Sequence, residues 1–289
     1  MYGAAVRWVA KLSDSLKRGR ECKTVGNHWL RRIEDSGEDI IKCIDTENNI
    51  VMFGDISSFK VLPSFENIVI LGDGTFQYCP KFFKQLYTLH VCQDGLYYPL
   101  LYFLLPVPNK KTETYETMLQ KLKVELETVN VSTFLIDFEA SMVCAVRKTF
   151  PQCNVRACHF HLAQNRLKKI QNLVLFKCYK ARESVVGKYL RKCFSLPGLE
   201  PDMVGEYFAT FSTSAPDEVK EFVRYLKDTY ITPKLIFPHQ MWAGVLNSNI
   251  PTTTNACETF HRHFGDMFGS SNRAPTFISS WRILIIGTI

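Results

Sequence analysis

The apolar positions change period several times along the chain, and each change marks an element. Ile68-Val69-Ile70-Leu71 is a continuous apolar run that ends on Gly72-Asp73-Gly74. Such a run, bounded by turn residues, reads as a buried strand. Gln85–Val91 and Tyr97–Leu105 are strand-like, rich in aromatic and aliphatic residues, and joined by the turn signal Gln93-Asp94-Gly95. Three consecutive strands with short links predict an antiparallel meander. From Thr112 to Val129 the period shifts: Tyr115, Met118, Leu119, Leu122, Leu126 and Val129 recur at three and four, the stripe of an amphipathic helix. A short strand, Ser132–Ile136, then runs into Asp137. A helix is expected over Glu139–Phe150, a strand over Asn154–Ala157, and a helix from His161 to about Val174. The apolar stripe of that last helix is predicted as Phe160, Ala163, Leu167, Ile170 and Val174, with Arg166, Lys168 and Lys169 off it.

The flanks are less regular. Residues 1–60 are weakly patterned apart from a predicted hairpin, Ile40–Ile44 and Ile50–Phe53 about a turn at Asp45–Asn49. Residues 175–250 read as helical and irregular, punctuated by Pro197, Pro201, Pro216, Pro233 and Pro238. Thr254 or Asn255 is a good N-cap for a following helix that carries Glu258 in its first turn.

Composition changes this picture little. With 46% hydrophobic and 22% charged residues in 289, the chain is globular in character and long enough to bury a core. No apolar run approaches the ~20 residues needed to span a bilayer. Ten scattered cysteines lack the paired spacing of a small secreted scaffold, so reduced thiols in the cytosol or nucleus are expected. Arg7, Lys11, Lys17, Arg18 and Arg20 near the start read as a surface helix in preference to a targeting segment. The abrupt start at Met1 and the apolar end at Ile289 suggest a piece of a longer protein.

Charge changes it more. The net charge is +7, yet Arg147 to Lys192 holds twelve Lys or Arg and a single acid, Glu183. A basic block within an otherwise mildly acidic chain points to a polyanionic partner. The bland alternative is a solvated helical face.

The candidate chemistry lies in three acids. A carboxylate at the end of a buried strand is costly unless an arginine, a lysine or a metal ion meets it. Asp73 stands in that position, Asp137 repeats it on a second strand, and Glu258 follows on a later helix. Taken singly, Asp73 is a turn residue and Glu258 an acid favoured by the helix dipole. Adjacent strands of one sheet would bring Asp73 and Asp137 close, and like charges at that range call for a divalent cation. Carboxylate oxygens suit Mg²⁺ or Mn²⁺. Glu139 is the nearest competitor to these three, and its bland role is dipole compensation. His261 and His263 read as surface or partly buried histidines, with pairing to phosphate or carboxylate as the alternative.

Gly72-Asp73-Gly74-Thr75-Phe76, then Pro80, Phe83 and Gln85–His90, resemble the start of the Mutator-like element (MULE) transposase domain. The resemblance continues through Tyr98–Leu105, Asp137-Phe138-Glu139 and Cys158–Gln164, and closes with Thr253–Glu258, covering roughly residues 65–268. It implies an α/β RNase H-like fold with a mixed sheet flanked by helices and an Asp-Asp-Glu triad of Asp73, Asp137 and Glu258. It implies Mg²⁺ or Mn²⁺ as cofactor, DNA at transposon ends as partner, a possible homo-oligomer, and a nuclear location. The expected division is an N-terminal segment (1–64) left from a lost DNA-binding region, a first core part (65–174), a helical insertion (175–250) and a closing segment (251–289). The family's upstream zinc-binding finger has no counterpart in residues 1–60. Cys158 and His161 match the family's Cys-x-x-His element. A structural zinc site wants four ligands and only Cys153 and His159 stand near, so packing, or positioning of the active site and DNA, is preferred. Arg166, Lys168, Lys169, Lys177, Lys180 and Arg182 are the expected phosphate contacts. A decayed or host-adopted relative that only binds DNA or protein is the rival reading.

Overall fold

The computed structural model describes residues 41–54, 56, 68–77, 79, 83–93, 95–106, 111–127, 129–232, 236–244 and 250–268. The basic opening segment, Ile40, Pro80, Asp94 and Pro233 lie outside the described residues. Among the described residues seven strands are hydrogen-bonded in the order β1-β2-β5-β4-β3-β6-β7. They are β1 (Ile41–Asp45), β2 (Ile50–Phe53), β3 (Ile68–Thr75), β4 (Gln85–Gln93), β5 (Leu96–Leu105), β6 (Val131–Ile136) and β7 (Asn154–Ala157). The β1–β2, β2–β5 and β4–β5 pairs are antiparallel and β6–β7 is parallel, so the sheet is mixed, as an RNase H-like α/β fold requires. The helices among the described residues are α1 (Thr112–Leu126), α2 (Ala140–Thr149), α3 (His159–Asn172), α4 (Phe176–Lys180), α5 (Val185–Lys192), α6 (Val204–Thr213), α7 (Lys220–Leu226), α8 (His239–Trp242) and α9 (Asn255–Phe268). None is long and apolar enough to cross a membrane.

The chain forms two compact units. The first takes residues 1–68, 72–130 and 256–289, the second 69–71 and 131–255. In the first, β4 explains the layering. Its first seven residues are all buried, as expected for the middle strand of seven. Successive side chains point to opposite faces of a strand. Gln85 and Tyr87 therefore turn to α1, where Tyr115 donates to Gln85 Oε1 at 3.1 Å and packs edge-on against Tyr87. Thr88 and His90 turn the other way, to α9. In α1 the residues Tyr115, Met118, Leu119, Leu122 and Leu126 are buried, the stripe that the periodicity predicts. The helix stops at Leu126, three residues short of Val129, because Glu127 takes a positive φ of 48° and closes the last turn onto Lys123 O.

The hairpin β1–β2 is hydrogen-bonded into the sheet through β5. Its Asp45 turn is held by Asn48 and by Lys121 of α1, whose Nζ lies 2.7 Å from Asp45 Oδ2.

In the second unit α2 follows β6, and α3 follows β7. The described part of residues 175–250 carries the helices α4 to α8, with 3₁₀ turns at the prolines and a π-helical turn over Lys227–Ile231, joined by short turns. Helix α3 begins at His159, two residues earlier than expected, and its buried stripe is Leu162, Arg166 and Ile170. Phe160 and Val174, assigned to the core from periodicity, are 39% and 85% exposed. The stripe is a strict i, i+4, i+8 row that a hydropathy pattern passes over, because its middle member is an arginine.

Partial burial of Asp45 raises its pKa, but the hydrogen bond from Lys121, those from Asn48 and the Lys121 charge outweigh this and bring it down to about 2. The folded value lies below the ordinary one of 3.8, so the contribution is fully present above about pH 4 and lost as pH falls through 2. Asp45→Asn is expected to flatten the stability profile over that window, at a cost of about 1 kcal/mol at neutral pH, measured by urea denaturation.

Candidate functional site

Asp73 sits inside β3 with its side chain on the α9 face of the first unit, and it is buried to 8% exposure. Its two glycines face the opposite way. A methyl group on Gly72 would come within 2.9 Å of the Tyr87 hydroxyl, and one on Gly74 would collide with the Gln85 amide that Tyr115 holds. The Gly-Asp-Gly sequence thus lets β4 side chains close over one face of β3 while presenting one carboxylate on the other.

What meets that carboxylate is an imidazole. His261 Nδ1 lies 3.3 Å from Asp73 Oδ2, and the ring is itself buried. On its far side Nε2 is 2.9 Å from Thr88 Oγ1. The Thr88 hydroxyl also lies 3.4 Å from Asp73 O, so it reaches both groups; with the ring proton on Nδ1, facing the acid, its hydrogen goes to Nε2. The ring is therefore held at both nitrogens, and Nδ1 is the atom turned to the acid. Among the described residues Asp73 Oδ1 has no hydrogen bond or ion pair.

His261 reaches this place because α9 lays one stripe across β4 and β5. Cys257 Sγ is 3.2 Å from His90 Nδ1. Phe260 packs edge-on against His90 and stacks on Tyr102. Burial, and then the neighbouring His261, push the His90 pKa down to about 3 against the opposing pull of Asp73, so His90 is neutral at any physiological pH. Glu258 lies three residues before His261, and residues at that spacing are neighbours on a helix surface. His263 is exposed.

Asp137 follows β6 in the second unit, with 35% of its side chain exposed. The Phe138 amide donates to its Oδ1, and His161 Nδ1 stands 3.7 Å from the same oxygen. Here too the other carboxylate oxygen carries no hydrogen bond among the described residues. Glu139 is the N-cap residue of α2 and makes no cap bond with its side chain.

The Cys-x-x-His element is a local fastening. Cys158 N–H donates to Ile136 O at 2.8 Å, tying the start of α3 to the strand end that delivers Asp137. Its sulfur accepts hydrogen bonds from both the amide and the hydroxyl of Thr254, each at 3.3 Å, and His159 N–H donates to Thr252 O. Thr254 is the residue before α9, so its hydroxyl serves Cys158. Burial raises the Cys158 pKa, but the hydrogen bonds from the His161 ring and from Thr254 outweigh it and hold the thiol below its ordinary value. Cys153 does not join it: its thiol donates to Asn154 O, and burial pushes its pKa up to about 11. Among the described residues no three His, Cys, Asp or Glu side chains are grouped so as to hold a metal ion.

Burial overturns the assignment of Arg166 as a phosphate contact. The residue is 1% exposed; its guanidinium donates to Cys193 O at 2.8 Å and lies 5.5 Å from the ring centres of both Tyr230 and Trp242. Desolvation lowers its pKa to about 10, which leaves it charged. Arg156 and Arg191 in the basic block are committed in the same way. The first donates to the carbonyls of Gln240 and Ala243, the second to those of Tyr179 and Arg182. Lys168, Lys177, Lys180 and Arg182 are exposed, and Lys169 is half-buried over the Tyr225 ring.

A family model described as the MULE transposase domain matches residues 69–165. That is the resemblance the motifs carry. The matched span, about a third of the 289 residues, contains Asp73, Asp137, Cys158 and His161 and stops before Glu258. Comparison with curated proteins gives no match.

Arg166→Ala removes a charged hydrogen bond and two desolvated cation–π contacts, so a loss of about 2–4 kcal/mol is expected in chemical denaturation. Gly74→Ala should cost about 1–3 kcal/mol in the same assay, since a methyl group there displaces the Gln85 amide.

Proposed function

We propose that this chain is the catalytic domain of a DNA transposase, which cuts phosphodiester bonds at transposon ends and transfers the freed strand. Asp73, Asp137 and Glu258 are its divalent-metal ligands. The observation that carries this is the Asp73–His261 contact, which fixes the helix bearing Glu258 against the strand bearing the first acid. The donor chemistry fits a hard cation: the acids offer carboxylate oxygens, and in Asp73 and Asp137 one oxygen is engaged while the other has no hydrogen bond among the described residues. When bound, Mg²⁺ or Mn²⁺ supplies Lewis-acid polarisation and activation of a water or a 3′ hydroxyl for in-line displacement at phosphorus.

The chain's own residues hold and shape the site. Asp73 is oriented by His261, Asp137 by the Phe138 amide and by the neighbouring His161, and the Cys158–Thr254 bonds anchor the segment that leads to α9. Lys168, Lys177, Lys180 and Arg182 offer exposed charge for DNA phosphates, contacts that give affinity without sequence readout. Action on DNA places the protein in the nucleus, and paired transposon ends suit a homo-oligomer.

A relative that binds DNA without cutting it is the second reading. It is favoured by the absence, among the described residues, of three side chains grouped as metal ligands.

The deciding experiment is cleavage of DNA carrying terminal inverted repeats in Mn²⁺ or Mg²⁺. Cleavage is expected from the wild type and reduced by at least about 10³-fold in Asp73→Asn, Asp137→Asn and Glu258→Gln, each with unchanged circular dichroism. Binding without cutting by the wild type would establish the second reading instead. In a salt series, replacing Lys177, Lys180 and Arg182 by Gln should make log K fall less steeply with log[salt], by about one for each phosphate that is no longer neutralised. Arg166→Met should leave that slope unchanged.

A further inference from the structure

We infer that His261 is the positioning residue of Asp73. It holds Oδ2 so that Oδ1 is the oxygen presented to the cation, and Thr88 sets the orientation of its ring. The inference rests on the reading of Asp73 as a metal ligand and adds to it a residue that lies outside the matched family span.

The geometry is specific. A buried carboxylate is free to rotate about its last bond unless something holds one oxygen. His261 does so at 3.3 Å from a ring that is 6% exposed and cannot swing away, because Nε2 is bound to Thr88 at 2.9 Å. Thr88 is wholly buried, and its hydroxyl reaches both His261 Nε2 and the backbone oxygen of Asp73 itself. Acid, imidazole and hydroxyl thus form a closed loop through β3, α9 and β4. The loop leaves the ring one orientation, with Nδ1 turned to the carboxylate. Residues that orient a metal ligand from behind in this way typically affect affinity by about 10–100-fold. Asp137 has a looser version, His161 at 3.7 Å from a carboxylate 35% exposed, so the demand for a brace falls most heavily on Asp73.

The test is Mn²⁺ titration of the full chain, followed by the electron paramagnetic resonance signal of the free ion and accompanied by circular dichroism. Asparagine at 261 keeps a donor near the place of Nδ1, and glutamine keeps one near the place of Nε2. A merely structural role would treat the two alike. His261→Asn is expected to bind Mn²⁺ within about threefold of wild type, and His261→Gln and His261→Ala to bind it about ten- to a hundredfold more weakly. Should His261→Ala fail to fold, the asparagine–glutamine pair still decides. Equal affinity in that pair, or wild-type affinity in His261→Ala, would overturn the positioning role while leaving Asp73 as a ligand. Wild-type affinity in Asp73→Asn would overturn both.

Discussion

The burial of one carboxylate organises the first unit. Taking an ionised acid out of water is expensive, and removing its partner afterwards leaves the cost uncompensated. Asp73 is 8% exposed, and its carboxylate is met by His261 of α9, whose ring is held in turn by Thr88 of β4. Each neighbouring feature follows from that demand. The flanking glycines free the opposite face of β3 for Tyr87 and Gln85. The alternation of β4 sends Thr88 and His90 to the acid's side. The stripe Cys257, Phe260, His261 on α9 makes one docking row in which apolar stacking and the polar contact occur together.

The second unit solves a related problem more loosely. Asp137 stands at a strand end with a third of its side chain in solvent, so a backbone amide and a histidine at 3.7 Å suffice. The fastening there runs through one residue: Cys158 bonds by its amide to the strand that precedes Asp137 and by its sulfur to Thr254, which precedes α9. The basic block divides by the same logic. Arginines, whose planar forks reach several acceptors, turn inward and tie carbonyls of residues 175–250, as Arg156, Arg166 and Arg191 do. Most of the lysines stay at the surface, where a polyanion would meet them.

Much of this is legible in the sequence. The strands announce themselves through short apolar runs bounded by turn residues and α1 through a period of three to four, and the glycines around Asp73, read as a strand end, prove to lie inside β3. Val129 falls outside α1 because periodicity persists past the point where Glu127 turns the backbone. Arg166 misleads because a charged residue scores as surface. The clue lies elsewhere, in a later segment that supplies Tyr230 and Trp242, rings able to take a guanidinium into the interior. His261 reads as an ordinary histidine, although its spacing of three from Glu258 already sets the two on one helix face. Partners that meet through the fold, 188 positions apart in this case, leave no mark in local pattern.

The third acid is where geometry contributes most, since the family match ends at residue 165. An α-helix turns about 100° per residue, so a slip of one position along α9 would swing its whole docking row away from the sheet. It would withdraw His261 from Asp73, Cys257 from His90 and Phe260 from Tyr102 in a single step. The buried, mutually dependent contacts of that row therefore fix the rotation of α9, and with it the direction of Glu258. The acid's place is set by three neighbours that are not acids.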